Sequence, residues 1–305
     1  MIPGADVLII KCMETNYLTD IMLPLALAII MLGMGLSLVP YDFRRVALYP
    51  KAASVGILNQ IIILPVVGFL LLLLFGLKSP ELAVGVMILS ACPGGPTSNL
   101  ISHISKGDTA LSITLTAISS LIAVITIPLI INLALLFFMQ QGEYVPLPVF
   151  RTIISLTLIT LVPVGIGMLI RTKAVSFANK MDKPVKIVSG ILLFLIILAA
   201  IMTNKDIFVS SFRDVGPIAL SLNMVMLGIG YISAQMLKLR IAQRITISVE
   251  SGIQNGTLGI TIASALLHND VMAISPAIYS LIMFMTAGFI IAWTNLAIKQ
   301  FKAAG

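Results

Sequence analysis

The chain has 305 residues, 59% of them hydrophobic and 10% charged, with a mean hydropathy of +1.10 and a formal net charge of +7. Soluble domains carry about 25% charged residues. This composition therefore excludes ordinary cytosolic enzymes, disordered regulators and nucleic-acid binders, and describes a protein that crosses a membrane several times.

A spanning helix needs about 20 mostly apolar residues. In chain order such runs fall near 19–39, 50–76, 81–105, 109–138, 149–170, 185–204, 215–237, 242–267 and 271–298. The expectation is an extracytoplasmic tail over 1–18 followed by a single all-α transmembrane domain of nine helices over 19–305. The tail holds a short apolar run, Val7 to Ile10, interrupted by Lys11 and Glu14, with no small-residue cleavage site after it, so no cleavable signal peptide is expected. Cys12 in the tail and Cys92 in an apolar segment suggest no disulfide framework.

With the amino terminus outside, 14 of the 19 basic residues fall in cytoplasmic loops, among them Arg44, Arg45, Lys106, Lys180, Lys186 and Arg240. Lys11, Lys78, Arg151, Lys205 and Arg213 remain outside. Lys and Arg gather on the cytoplasmic side of membrane proteins, so the amino terminus is expected outside and the carboxyl terminus inside. The same loops account for the basic charge without a nucleic-acid partner, since no basic patch interleaved with aromatic residues is present.

The third span is interrupted. Cys92, Pro93, Gly94, Gly95, Pro96, Thr97, Ser98 and Asn99 sit within otherwise apolar sequence, and no continuous helix is expected through Pro-Gly-Gly-Pro. The eighth span is interrupted at 250–256, where Glu250, Ser251, Gly252, Ile253, Gln254, Asn255 and Gly256 follow one another. Glu250 is the one acidic residue well inside a span, and such residues mark ion or proton pathways because burying a carboxylate in a bilayer costs at least ~2.5 kcal/mol. Non-helical backbone at membrane depth is tolerated only where it is buried in protein or lines a cavity. Paired Gly/Pro interruptions in the two halves of a chain point to a secondary transporter built from inverted repeats. The third and eighth spans run in opposite directions, so their breaks are expected to cross near the midplane.

The side chains around these breaks are mostly oxygen donors, which suits a hard cation; His103 and His268 lie near loop ends without ligand partners, which argues against a transition metal. Ser112 and Thr116 share one face of the fourth span and could complete a site begun by Ser98, Asn99 and Glu250. Gln60 could meet Gln254, Glu250 and freed carbonyls at a second. The amino termini of the second half-helices, Pro96 to Asn99 and Asn255 to Thr257, offer free N–H groups and partial positive charge, so an anionic cargo is expected there.

The strings at 92–99 and 250–256, with Gln60, Ser112 and Thr116 at fitting distances, resemble the bile acid:sodium symporter family, which includes the apical sodium-dependent bile acid transporters. The resemblance covers the chain from residue 19. It implies a core domain, formed here by the spans near 50–138 and 215–298, and a panel domain, formed by those near 19–39 and 149–204. It also implies two Na⁺ as coupling ions, no other cofactor, and an organic anion, bile-acid-like or a small carboxylate, bound between the domains. Carried over, the first sodium site comprises Ser98, Asn99, Ser112, Thr116 and Glu250. The second comprises Gln60, Glu250 and Gln254 with the carbonyls of Ser251 and Ile253. Pro96, Thr97, Asn255, Gly256 and Thr257 would face the substrate. Two departures stand out: Pro96 replaces the family's usual Thr, and Met283 and Phe284 replace a polar side chain, which argues against bile acids as the natural cargo.

The expected activity is sodium-coupled import by alternating access, in a multi-pass protein of the bacterial inner membrane in contact with its lipid bilayer. A proton-coupled carrier or a cation antiporter of the same fold is the nearest alternative. An intramembrane enzyme fits less well, for want of a second membrane carboxylate or a nucleophile beside a histidine.

Overall fold

The computed structural model describes residues 18–139, 146–203 and 205–303. The predictions on residues 1–17, including Cys12, Lys11 and Glu14, lie outside them. Every regular element among the described residues is a helix. We number them α1 (18–36), α2 (Pro40–Leu48), α3 (Pro50–Phe75), α4 (Pro80–Ala91), α5 (Pro96–Ile104), α6 (Thr109–Phe138), α7 (Val149–Lys173), α8 (Val175–Thr203), α9 (Lys205–Met236), α10 (Ile241–Gly252), α11 (256–266) and α12 (Asp270–Ala303).

Among the described residues, α3, α6, α7, α8, α9 and α12 are long and apolar enough to cross a membrane unbroken. Together with α1 and the two broken pairs, α4–α5 and α10–α11, they account for the nine predicted spans. The protein is an all-α polytopic membrane protein. Its helices start where the sequence can satisfy their first N–H groups. The Ser79 hydroxyl accepts from the Leu82 N–H ahead of Pro80, Asp108 accepts from the Leu111 N–H at 3.1 Å, and Asn255 accepts from the Leu258 N–H at 3.1 Å. Turns of wider, π-type helix precede Pro24, Pro65 and Pro163 by one or two residues, as expected where a proline removes the donor from the next turn.

Three boundaries differ from the sequence expectation. α8 begins ten residues before the predicted 185, and α9 likewise begins at Lys205 rather than 215. Both extensions carry charged residues, which the search for apolar runs passes over although a helix continues readily through them. The third difference is α2, a short amphipathic helix in what was expected to be a loop. The Asp42 carboxylate accepts from the Val39 N–H at its start, and Thr114 of α6 donates to the Asp42 carbonyl.

Part of the helix packing pairs across the two halves. α4 lies against α12 and α10 against α6; α5 packs on α6 and α11 on α12; α5 meets α10 and α11 meets α4. The correspondence is incomplete, since α4 also packs closely on α6 whereas α10 does not do so on α12. α1, α7 and α8 pack on one another to one side. There, a Cβ on Gly35 would lie 2.2 Å from the Val164 carbonyl oxygen and one on Gly167 2.4 Å from that of Leu32, so the α1–α7 seam is backbone against backbone, the small-residue packing that brings helices together in lipid.

Candidate functional site

Both interruptions predicted in the sequence are real breaks, and they touch. α4 ends at Ala91 and α5 starts at Pro96, while α10 ends at Gly252 and α11 starts at Gly256. The Asn255 N–H donates to the Pro93 carbonyl at 2.9 Å, joining one unwound segment directly to the other. The carbonyl freed at Gly252 is met twice, by Tyr279 Oη at 2.7 Å and by Asn223 Nδ2 at 2.8 Å. In this way the fold satisfies non-helical backbone that no water reaches.

Glu250, at the last turn of α10, is fully buried. Its Oε1 accepts from Ser98 Oγ at 2.8 Å and from Ser112 Oγ at 2.5 Å, and its Oε2 from Thr116 Oγ1 at 2.9 Å. Asn99 Oδ1 lies 2.8 Å from Ser112 Oγ and 3.2 Å from Thr116 Oγ1. The structure thus brings Ser98, Asn99, Ser112, Thr116 and Glu250 together from α5, α6 and α10. Among the described residues no ion pair reaches Glu250.

The cluster is short of protons. Ser98 Oγ lies within bonding distance of both Glu250 and the Gly95 carbonyl, and Ser112 and Thr116 each lie within reach of both Glu250 and Asn99. Each hydroxyl has a single proton to donate. Six close oxygen–oxygen contacts thus share three hydroxyl groups, an oxygen-rich donor set that suits a hard cation.

On the far side of the same carboxylate, Gln60 Nε2 donates to the Glu250 carbonyl at 2.9 Å and Gln254 Nε2 to the Ser251 carbonyl at 2.7 Å. The oxygens Gln60 Oε1, Gln254 Oε1 and Ser251 Oγ are buried with no hydrogen-bond partner among the described residues. Orphaned buried polar atoms are costly, and these belong to α3 and to the α10–α11 break. Ile253 is buried in that break. Gly94 sits between the two groups. A Cβ there would lie 2.6 Å from Glu250 Oε2, 3.0 Å from Gln60 Nε2 and 3.1 Å from Ser98 Oγ.

A cavity of about 360 Å³ opens beside the crossing, and Pro96, Thr97, Asn255, Gly256 and Thr257 all line it. Gly95 caps the start of α5 with no side chain; Pro96 brings no N–H and the Ser98 N–H donates to the Gly95 carbonyl at 3.0 Å, so of the first three positions only Thr97 keeps a donor beyond these. Met283 lines the same cavity, as do apolar residues of α1 and α8. Along α6 this cavity touches Thr109 and Ile113, whereas a space of about 10 Å³ further along touches Ser120 to Ile127; Asn255 borders both. Ser37, His103 and Lys186 line the larger cavity as well.

Three contributors escaped the sequence analysis. Asn223 and Tyr279 were not singled out, although a lone Asn in the apolar run of α9 is a visible signal. Lys186 was counted only as a loop charge.

Comparison with known proteins identifies the family. Residues 24–211 match the sequence profile of the Sodium Bile acid symporter family. The chain is similar, at 31% identity over 281 residues, 92% of this chain and 84% of the relative, to a protein of Bacillus subtilis (strain 168) named "Uncharacterized sodium-dependent transporter YocS". It is 29% identical over 298 residues, 97% of this chain and 69% of the relative, to the "Probable sodium/metabolite cotransporter BASS2, chloroplastic" of Oryza sativa subsp. japonica. The human "Sodium/bile acid cotransporter 4" is 29% identical over 288 residues, 90% of this chain and 64% of its own.

Proposed function

The chain belongs to the sodium bile acid symporter family, and from that premise we propose that it is a symporter that imports an organic anion on the energy of two sodium ions. The observation that carries the proposal is the proton-poor oxygen cluster on Glu250, placed one break away from a cavity lined by two half-helix amino termini.

The first sodium binds among Ser98, Asn99, Ser112, Thr116 and Glu250. It takes the place of the missing protons and draws α5, α6 and α10 together. The second binds at Gln60, Gln254, Glu250 and the carbonyls of Ser251 and Ile253, where two amide oxygens lack partners. Both ions fix the breaks, and the breaks set the first turns of α5 and α11, with their partial positive charge, at the cavity. Sodium binding therefore prepares the anion site, which couples the two cargoes. Two Na⁺, the Glu250 carboxylate and a monoanion sum to zero charge, which lowers the cost of moving the loaded site through low dielectric.

The trio α1, α7 and α8 acts as a panel that moves against the core of α3 to α6 and α9 to α12. Lys186 lines the cavity, and the positive-inside count puts that lysine on the cytoplasmic side, so in this reading the conformation faces the cytoplasm of a bacterial inner-membrane protein whose amino terminus is outside. The cargo is an amphipathic anion: the half-helix ends hold its acidic group, and Ile30, Met34 and Ile113 its apolar body.

Proteoliposomes test the proposal. Labelled taurocholate and small carboxylates should accumulate under an inward sodium gradient and fail to do so in a matched potassium control, with one net positive charge entering per monoanion. Uptake that follows a proton gradient and ignores sodium would leave the fold and replace the coupling ion.

A further inference from the structure

Besides the half-helix ends, the cavity is lined by α1 and α8, and α8 brings a charge to it. Among the described residues that line the cavity, Lys186 is the one Lys or Arg. Its Nζ donates to Asp182 Oδ2 at 2.8 Å, and Asp182 Oδ1 accepts from Ser37 Oγ of α1 at 3.1 Å. Ser37 lines the cavity and Asp182 does not, so the carboxylate holds the ammonium from behind. The Lys186 side chain is 54% exposed, and only one of its three N–H donors is committed to Asp182.

An exposed Asp–Lys pair four residues apart contributes little to helix stability, and a lysine near a membrane surface ordinarily extends toward water and lipid headgroups. Here it is tied to the α1–α8 seam and lines the same cavity of about 360 Å³ as Pro96, Thr97 and Asn255. One full positive charge thus shares that cavity with the two half-helix ends.

We propose that Lys186 is a specificity-determining residue that selects anionic cargo from the panel side, with Asp182 as the built-in anion against which the cargo competes. The inference rests on the organic-anion reading above. With the cavity empty, Asp182 keeps the ammonium paired. An entering carboxylate or sulfonate takes up its free donors and weakens that pair, and the pair closes again as the anion leaves. A compact ammonium imposes no planar fork, so the site admits either acid group and selects by charge. The net attraction is the small difference between two salt bridges, which lets the cargo leave.

The opposite signs of two substitutions test this. Purified full-length protein in saturating sodium chloride is titrated with taurocholate, octanoate and benzoate, and binding is read as anion-dependent thermal stabilisation. Lys186→Gln should weaken binding about five-fold, the value of a partly exposed charged hydrogen bond. Lys186→Arg should stay within about two-fold of wild type, since the charge is retained. Asp182→Asn should tighten binding about two- to three-fold by removing the competing charge. A pair with only a structural role would make Lys186→Gln and Asp182→Asn change in the same direction, or change nothing, and either result overturns the inference while the transport reading stands. A wild type that responds to none of the three anions overturns the organic-anion reading itself. The melting temperature of each variant without anion reports whether it is folded.

Discussion

Along α7 and α8, 28% and 17% of the most apolar window is buried within the protein; along α9 and α12 the shares are 50% and 61%. The first pair belongs to a trio with α1, whose Leu27, Ile30, Met31 and Met34 are buried, and the trio is held by close backbone contact at Gly35 and Gly167. The second pair encloses a crossing where Glu250, Gln60, Gln254, Asn223 and Tyr279 are all buried. The trio is joined by apolar packing, whereas the crossing is tied by hydrogen bonds to Glu250, to the Gly252 carbonyl and between Asn255 and Pro93, whose loss in a buried setting is costly. In the proposed cycle the first region moves and the second binds.

Substitutions should divide along the same line. The largest effect belongs to the crossing: Glu250→Gln should lower sodium affinity by over about 100-fold, the cost of about 3 kcal/mol or more for removing one member of a buried charge site, read as sodium-dependent stabilisation of the purified protein. Gly94→Ala should follow, since its Cβ would lie 2.6 Å from Glu250 Oε2. Overpacking of that kind costs about 1–3 kcal/mol, or roughly 10- to 100-fold in sodium affinity. If Gly94→Ala binds sodium as wild type does, the crossing is softer than the comparison allows.

In the trio, Gly35→Ala should cost a similar ~1–3 kcal/mol, but in thermal stability, with sodium affinity unchanged. A loss of sodium affinity there would mean that the two regions are one unit. Tyr279→Phe removes one of two donors to the Gly252 carbonyl and should cost about 1 kcal/mol, near five-fold in sodium affinity. The smallest effect should be at Thr157 of α7, whose hydroxyl donates to the Ile153 carbonyl of its own helix at 2.8 Å. Thr157→Val should leave stability within about 0.5 kcal/mol and transport unaltered.

The same division governs what could be read before any coordinates. Pro-Gly-Gly-Pro cannot be helical, and a carboxylate amid apolar residues needs oxygen partners, so the breaks and Glu250 were visible from local chemistry. Residues that serve the crossing from a distance were not. Tyr279 meets a carbonyl 27 residues away and Asn223 one 29 residues away, and each looks locally like an ordinary residue of an apolar helix. Lys186 was hidden for another reason: the positive-inside count explains every cytoplasmic lysine alike, and only the packing of α8 beside α1 shows that this one lines a cavity. The helix ends at Val175 and Lys205 were missed because hydropathy records where lipid begins, and a helix continues into water.

The central claim is that Glu250 anchors two sodium ions at the crossing. Equilibrium binding of radioactive sodium to the purified wild type and to Glu250→Gln tests it most directly. The account predicts about two equivalents per chain in the wild type, as the charge balance requires, and loss of both in the variant. Full sodium binding by Glu250→Gln, or none by a folded wild type, would contradict it.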